Sequence, residues 1–218
     1  ITELGAVTPI SIAEARGMAD EVVVTVQGII TATTWGTVGS STQAAIQDDT
    51  GGMVIYAGGF DAELVVGDEV IVTGPIDIYA DLIEVSPVAP TDIEVLSSGN
   101  DLPAIQNLTV PEIHANGVDY ESEFIHLDSL TIVGGTWPTS SSSVNMTVAD
   151  ANGETITMRI DGDTDLNMHD ALLGYFNFSG IVGRYYETFQ IFPRYYTDLA
   201  QIGDPTPQIS GIAQDPAS

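Results

Sequence analysis

The residues best suited to chemistry lie in one short run, Asp161-Gly162-Asp163-Thr164-Asp165. Alternating carboxylates of this kind can surround a hard cation such as Ca2+ with oxygen ligands. Leu166, however, stands where an EF-hand loop requires Gly, and Leu172 where it requires the bidentate Glu. The competing and stronger reading is an acidic loop that caps the helix expected over 165–173. Ca2+ is the one cofactor the sequence raises. His114, His126 and His169 include no pair at the spacing of an HExxH zinc motif. No Ser sits in a nucleophile elbow, and no Gly-rich phosphate loop precedes a helix. No catalytic residue is assigned on these grounds.

Two sets of residues suit binding better than catalysis. Trp35, Tyr56 and Tyr79 can stack on bases or sugars if they share an exposed face, with core or interface packing as the alternative. Arg184-Tyr185-Tyr186 and Arg194-Tyr195-Tyr196 form a duplicated triplet. The chain holds four arginines and no lysine. Each arginine is therefore expected to have an assigned carboxylate or aromatic face, within a barrel or at a subunit contact.

Against those four cations stand 31 acidic residues, for a formal net charge of -27. A protein that grips nucleic-acid backbone usually presents a basic stripe. The far field repels phosphate, so the expectation is that the chain by itself is not a general binder of DNA or RNA, a small local site aside. Hydrophobic residues make up 44% of the chain, enough for a core, so this is not a disordered composition. The absence of cysteine rules out a disulfide framework. No apolar run approaches the ~18 residues of a membrane span. Beginning at Ile1, the chain reads as a processed or trimmed product.

The elements that must position these residues are strands. Val22, Val24 and Val26 alternate with Val23, Thr25 and Gln27 in a long first strand ending near Thr31. Further strands are expected over 41–47, 53–56, 68–76 and 82–85, with an additional edge strand at 92–96. Asp49-Thr50-Gly51-Gly52 is read as a hairpin turn with glycines at positive φ. A short helix capped by Ser11 and ended by Gly17 precedes the first strand. This order, long bent strand, hairpin, connector, two strands, is that of an OB-fold barrel. It repeats after the linker 97–101, with strands at 124–133, 144–148, 155–160, 176–182 and 187–192. The expected fold is all-β, two OB-like five-stranded Greek-key barrels in tandem with short helices. The expected boundaries are 1–97, 98–203 and a Pro/Gly-rich tail, 204–218, carrying Ile209 and Ile212.

Several stretches resemble a known family. Val26-Gln27-Gly28-Ile29-Ile30-Thr31, Ala45-Ile46-Gln47-Asp48-Asp49-Thr50-Gly51-Gly52 and Val66-Gly67-Asp68-Glu69-Val70 are similar to bacterial secreted OB-fold domains. Tyr120 to Asp128, Val148 to Gly153 and Phe189 to Leu199 resemble the partner domain in such tandems. The family includes barrels beside the catalytic domains of extracellular nucleases and in Bacteroidetes-type cell-surface proteins. The resemblance implies an exported protein whose barrels are accessory.

These observations lead to the expectation of a non-catalytic extracellular structural protein that self-associates into a filament. Ile209, Ile212, Arg184 and Arg194 are its candidate contacts between copies. The alternative is a ligand-binding accessory module of a secreted nuclease or other exported enzyme, with Trp35, Tyr56 and Tyr79 on its ligand face.

Overall fold

The computed structural model describes residues 8–33 and 40–202. The first barrel is built from β1 (Val23–Ala32), β2 (Ser41–Asp48), β3 (Gly51–Gly58), β4 (Glu69–Tyr79) and β5 (Leu82–Val85). Around the barrel the order is β1-β2-β3-β5-β4 and back to β1, with β3 and β5 parallel. An edge strand, β6 (Ile93–Ser97), pairs with β4. This circular order, with its parallel closing pair, is the OB topology.

The second barrel repeats it. A short strand β7 (Gln106–Leu108) and helix α2 (Val110–Tyr120) lead into β8 (Phe124–Gly134), β9 (Val144–Ala149), β10 (Thr155–Ile160), β11 (Tyr175–Tyr185) and β12 (Thr188–Phe192). The order is β8-β9-β10-β12-β11 and back to β8, with β10 and β12 parallel. An edge strand β13 (Leu199–Ile202) pairs with β11 as β6 pairs with β4. The approach to each barrel matches as well. β7 runs parallel to β8, and Ile10 bridges Val26 in parallel just before helix α1 (Ile12–Arg16).

Local chemistry accounts for the matching corners. Asp48 Oδ1 accepts the Thr50 and Gly51 amides, and Asp150 Oδ1 accepts those of Asn152 and Glu154. Each carboxylate holds its hairpin as an Asx-type turn. Asp92 Oδ2 accepts the Val88 and Ala89 amides, and Asp198 Oδ2 those of Arg194 and Tyr195. These two corners share Thr-Asp at corresponding positions, Thr91-Asp92 and Thr197-Asp198.

Each barrel has its own core. Ile12 and Ala15 of α1 close the first, among Val26, Ile30, Ile46, Met53, Ile55 and Val72. Val110 and Ile113 of α2 serve the second, beside Phe176 and Phe178. A third cluster lies between the barrels and joins Ala32, Ala45, Phe124 and Ile181, with Leu102 and Phe192 packed on it. It explains why β2 is buried along four successive residues, Ala44 to Gln47, where a one-sided strand would alternate. The inner face meets the core and the outer face meets the second barrel.

Three local expectations are corrected. The helix expected over 165–173 is a single 3-10 turn, Asp165–Met168. Leu166 and Leu172 are drawn into the core and the His169 carbonyl accepts the Trp137 indole N–H, so tertiary contacts win over a helix too short to stand alone. The short helical turn expected within 102–116, after the pattern of the entry to the first barrel, is helix α2, which runs on to Tyr120 with a break in helical geometry at Asn116. Gly51 and Gly52 do not take positive φ. A Cβ on Gly52 would lie 2.3 Å from the Ser122 carbonyl oxygen, so this glycine serves the close approach of the barrels rather than the turn.

Candidate functional site: the cleft between the barrels

Three of the four arginines hold the two barrels together. Arg16, at the end of α1, donates to the carbonyls of Gly52 (2.7 Å), Glu121 (3.0 Å) and Val118 (2.7 Å). Its Nη2 lies 3.4 Å from Glu121 Oε1. Arg184 of β11 donates to the Asp81 carbonyl and stands 3.9 Å from Glu121 Oε2. Glu121 is fully buried between these guanidiniums and accepts the Ile83 amide. Burial nevertheless raises its pKa, against the pull of Arg16. Arg194 forks onto Asp198, with Nε to Oδ2 at 3.0 Å and Nη2 to Oδ1 at 2.9 Å. Its Nη1 reaches across to the Thr31 carbonyl, and its guanidinium lies 4.1 Å from the centre of the Phe124 ring. Such a planar fork suits one carboxylate and one aromatic face at once. Gln47 of β2 completes the seam by accepting the Phe124 amide.

The seam leaves a cleft of about 510 Å³ beside it. This lies within the about 300–1,000 Å³ typical of small-ligand sites. The first barrel contributes the outer face of β2, β3 and β5 together with the β4–β5 turn, through Gln43, Val54, Glu84 and Tyr79. The second contributes β9 to β12, through Asn145, Arg159, Tyr185 and Gln190. The β4–β5 and β11–β12 turns meet at its edge, where the Tyr186 amide donates to the Ala80 carbonyl. Strands 2 and 3 and the loop between strands 4 and 5 form the usual ligand surface of an OB barrel. In this chain that surface of the first barrel is roofed in part by the second.

Glu84 is the unusual carboxyl of the cleft. It is 4% exposed, because barrel 2 covers the outer face of β5. Its pKa is pushed up to about 7, first by burial and then by Asp77, its cross-strand neighbour on β4. Glu123, buried at the seam beside Gln106, is also raised, chiefly by burial.

Of the residues singled out from sequence, the cleft brings together Tyr79, Asp161, Arg184 and Tyr185. Tyr79 lines the cleft and is 62% exposed. Tyr56 lies on β3 opposite Gln43, so the two share a face of the sheet, but Tyr56 is not part of the cleft lining. Trp35, Ile209 and Ile212 lie outside the described residues. Arg184 and Arg194 sit between the barrels of one chain. Asp161 and Asp163 are adjacent, and Asp161 receives the Ser143 hydroxyl and the Asp163 amide. Partial desolvation and then Asp161 raise the pKa of Asp163. Asp165 turns away to accept the Tyr196 amide and faces His169 at 3.7 Å. Among the described residues, no three His, Asp or Glu side chains are grouped to hold a metal ion. His126 bonds Ser179 and Asp128, His114 bonds the Thr155 carbonyl, and His169 stacks on Tyr196. Sequence reading missed Glu84, Gln43 and Arg159. The signal at Glu84 and Arg159 was a charged residue at a strand position with apolar neighbours on both sides, and Gln43, between Thr42 and Ala44, had none.

Among the described residues no helix is long and apolar enough to cross a membrane. No protein-family model matches the chain. The chain is 33% identical over 194 residues to Endonuclease YhcR of Bacillus subtilis. That match covers 87% of this chain and 16% of the endonuclease, so the chain spans a small part of this relative. Among solved structures, a murine DNA-binding protein bound to double-stranded DNA superposes with a TM-score of 0.39 at 9% identity, over 83% of this chain and 97% of that one. A Replication Protein A heterotrimer bound to single-stranded DNA superposes at 0.37 and 13% identity, over 88% of this chain and 53% of that chain. Scores this low carry no functional information.

The endonuclease similarity overturns three expectations. The structural filament subunit is withdrawn, because the relative that matches both barrels carries the name of an enzyme. The expectation of no enzymatic activity is withdrawn on the same finding. So is the choice of partners, in which copies of the chain stood first and nucleic acid was set aside. The error in that last step is physical. A net charge of -27 describes the far field, which salt screens over about 8 Å, whereas binding is decided by groups inside a cleft. The alternative, an accessory module of a nuclease, survives.

Proposed function

We propose that this chain is a tandem OB module of a nuclease-type protein and that it binds nucleic acid for that protein. The observation that carries the reading is the 33% identity to an endonuclease over 194 residues, a length that takes in both barrels. The OB topology supports it, since the fold presents strands 2 and 3 and their flanking loops to oligonucleotides or oligosaccharides. The module acts outside the cell on this reading, in keeping with its resemblance to secreted tandem barrels.

Fluorescence anisotropy with labelled single-stranded DNA, RNA and duplex DNA, with and without Mg2+ or Ca2+, tests the proposal. The expected result is saturable binding to at least one of these polymers. The same samples run on a denaturing gel report strand cleavage, which would extend the role from binding to chemistry. Absence of binding to every polymer at low salt would refute the reading.

A further inference from the structure

Arg159 differs from the other three arginines. Arg16, Arg184 and Arg194 each stand within ion-pair distance of a carboxylate. Among the described residues Arg159 has no such partner, in a chain with 31 acidic residues. Its Nη1 donates to the neutral Asn145 side chain at 3.1 Å, and it lines the inter-barrel cleft. Asp161 lines the same cleft, yet its oxygens receive the Ser143 hydroxyl and the Asp163 amide. A half-buried guanidinium with open donors favours an anionic ligand that accepts through paired oxygens.

Two exposed aromatic rings border the same space, one from each barrel. Tyr79 is 62% exposed and Tyr185 is 50% exposed. Side-chain amides of Gln43, Asn145 and Gln190 supply both donors and acceptors between them.

We propose that the cleft between the barrels holds one nucleotide of a single-stranded nucleic acid, with its phosphodiester on Arg159 and its base against Tyr79 or Tyr185. This rests on the nucleic-acid-binding reading above and adds the site and the strandedness. Single strands are favoured because their bases offer free faces to aromatic side chains, whereas a duplex keeps those faces stacked. Neither barrel holds the site alone. The first supplies Tyr79 and Gln43, the second Arg159 and Tyr185, and the arginine seam sets their spacing. The contact with phosphate is local, so salt should act weakly. One neutralised phosphate gives a slope of only about -0.7 in log affinity against log salt on a single strand.

Anisotropy of a labelled oligothymidylate tests this, using the whole chain and the variants R159M, R159K, Y79A and Y185A. Tyr175→Ala serves as the control, at the opposite end of β11 and similarly exposed. All four positions are exposed or half-buried, and circular dichroism verifies folding. The expected result is about tenfold weaker binding by R159M with a salt slope flattened by about 0.7. R159K should recover part of the loss, since Lys meets phosphate as a point charge without the fork. Y79A or Y185A should weaken binding about 5- to 100-fold, and Y175A should not. Wild-type binding that R159M, Y79A and Y185A all leave unchanged would overturn the cleft while leaving the module's function intact. Preference for duplex over oligothymidylate would overturn it too, and no binding to any nucleic acid would overturn both.

Discussion

Replacing Glu84 by Gln should stabilise the protein at alkaline pH and leave it nearly unchanged in mild acid. Glu84 is paired across the strands with Asp77, beside Val54 on β3, and is covered by the second barrel. Arg159, Arg184 and Asp161 line the same cleft. Burial and then Asp77 raise its pKa from the ordinary 4.5 to about 7. A carboxyl whose pKa is higher in the folded than in the unfolded chain binds more protons when folded. Stability therefore falls as pH rises from 4.5 and levels off above 7. The gap is about 2.5 pH units, and at about 1.4 kcal/mol each the full penalty is about 3 kcal/mol. Gln keeps the shape and carries no ionisable proton, so E84Q removes the penalty. In urea, with a slope of about 2–3 kcal/mol per molar, the unfolding midpoint should rise by about 1 M above pH 7. Below about pH 4.5 the two midpoints should coincide. D77N should retain the Glu84 carboxyl but move the bend in the stability profile to lower pH. Equal effects of E84Q at both ends of the pH range would refute the reasoning, because only ionisation of Glu84 makes the gain depend on pH.

The seam makes further predictions. Gly52→Ala should destabilise the protein by about 1–3 kcal/mol, measured by denaturant unfolding, because the new Cβ would meet the Ser122 backbone at 2.3 Å. The effect should vanish in a fragment containing the first barrel alone, if that fragment folds. Arg194→Met leaves Asp198 buried without its guanidinium and Thr31 without its donor, so about 3–5 kcal/mol should be lost in thermal or urea unfolding. Arg16→Met removes three bonds to carbonyls and one neighbour of the buried Glu121 carboxylate. A comparable loss is expected, and E121Q in the R16M background should recover part of it by removing the uncompensated charge.

Much of the architecture was legible because it depends on short-range rules. Val24 and Val26 alternate with Thr25 and Gln27, and both are buried. Ser11 caps the helix that Gly17 ends, as its type and place suggest. Asp48 and Asp150 turn their hairpins through bonds spanning a few residues. The errors fall where distant parts of the chain decide. The 165–173 stretch stands where an OB order places a short helix, but Leu166 and Leu172 are claimed by a core of strands far away in sequence. Gly52 looks like a turn glycine and is a docking glycine. The net charge of -27 misled because summing charges discards position.

The candidate site was barely visible for the same reason. Tyr79 and Tyr185, both singled out from sequence, reach the cleft, but their partners Arg159, Gln43 and Glu84 carry no local motif. Alternation, caps and turn chemistry act over two to five residues, so the sequence by itself determined two barrels of OB topology and the order of their strands. Which faces meet was decided only in three dimensions. It took three arginines bonding carbonyls and carboxylates up to 163 residues away to join the barrels. The low dielectric created by that contact then set the state of Glu84, and the space left beside it set apart Arg159.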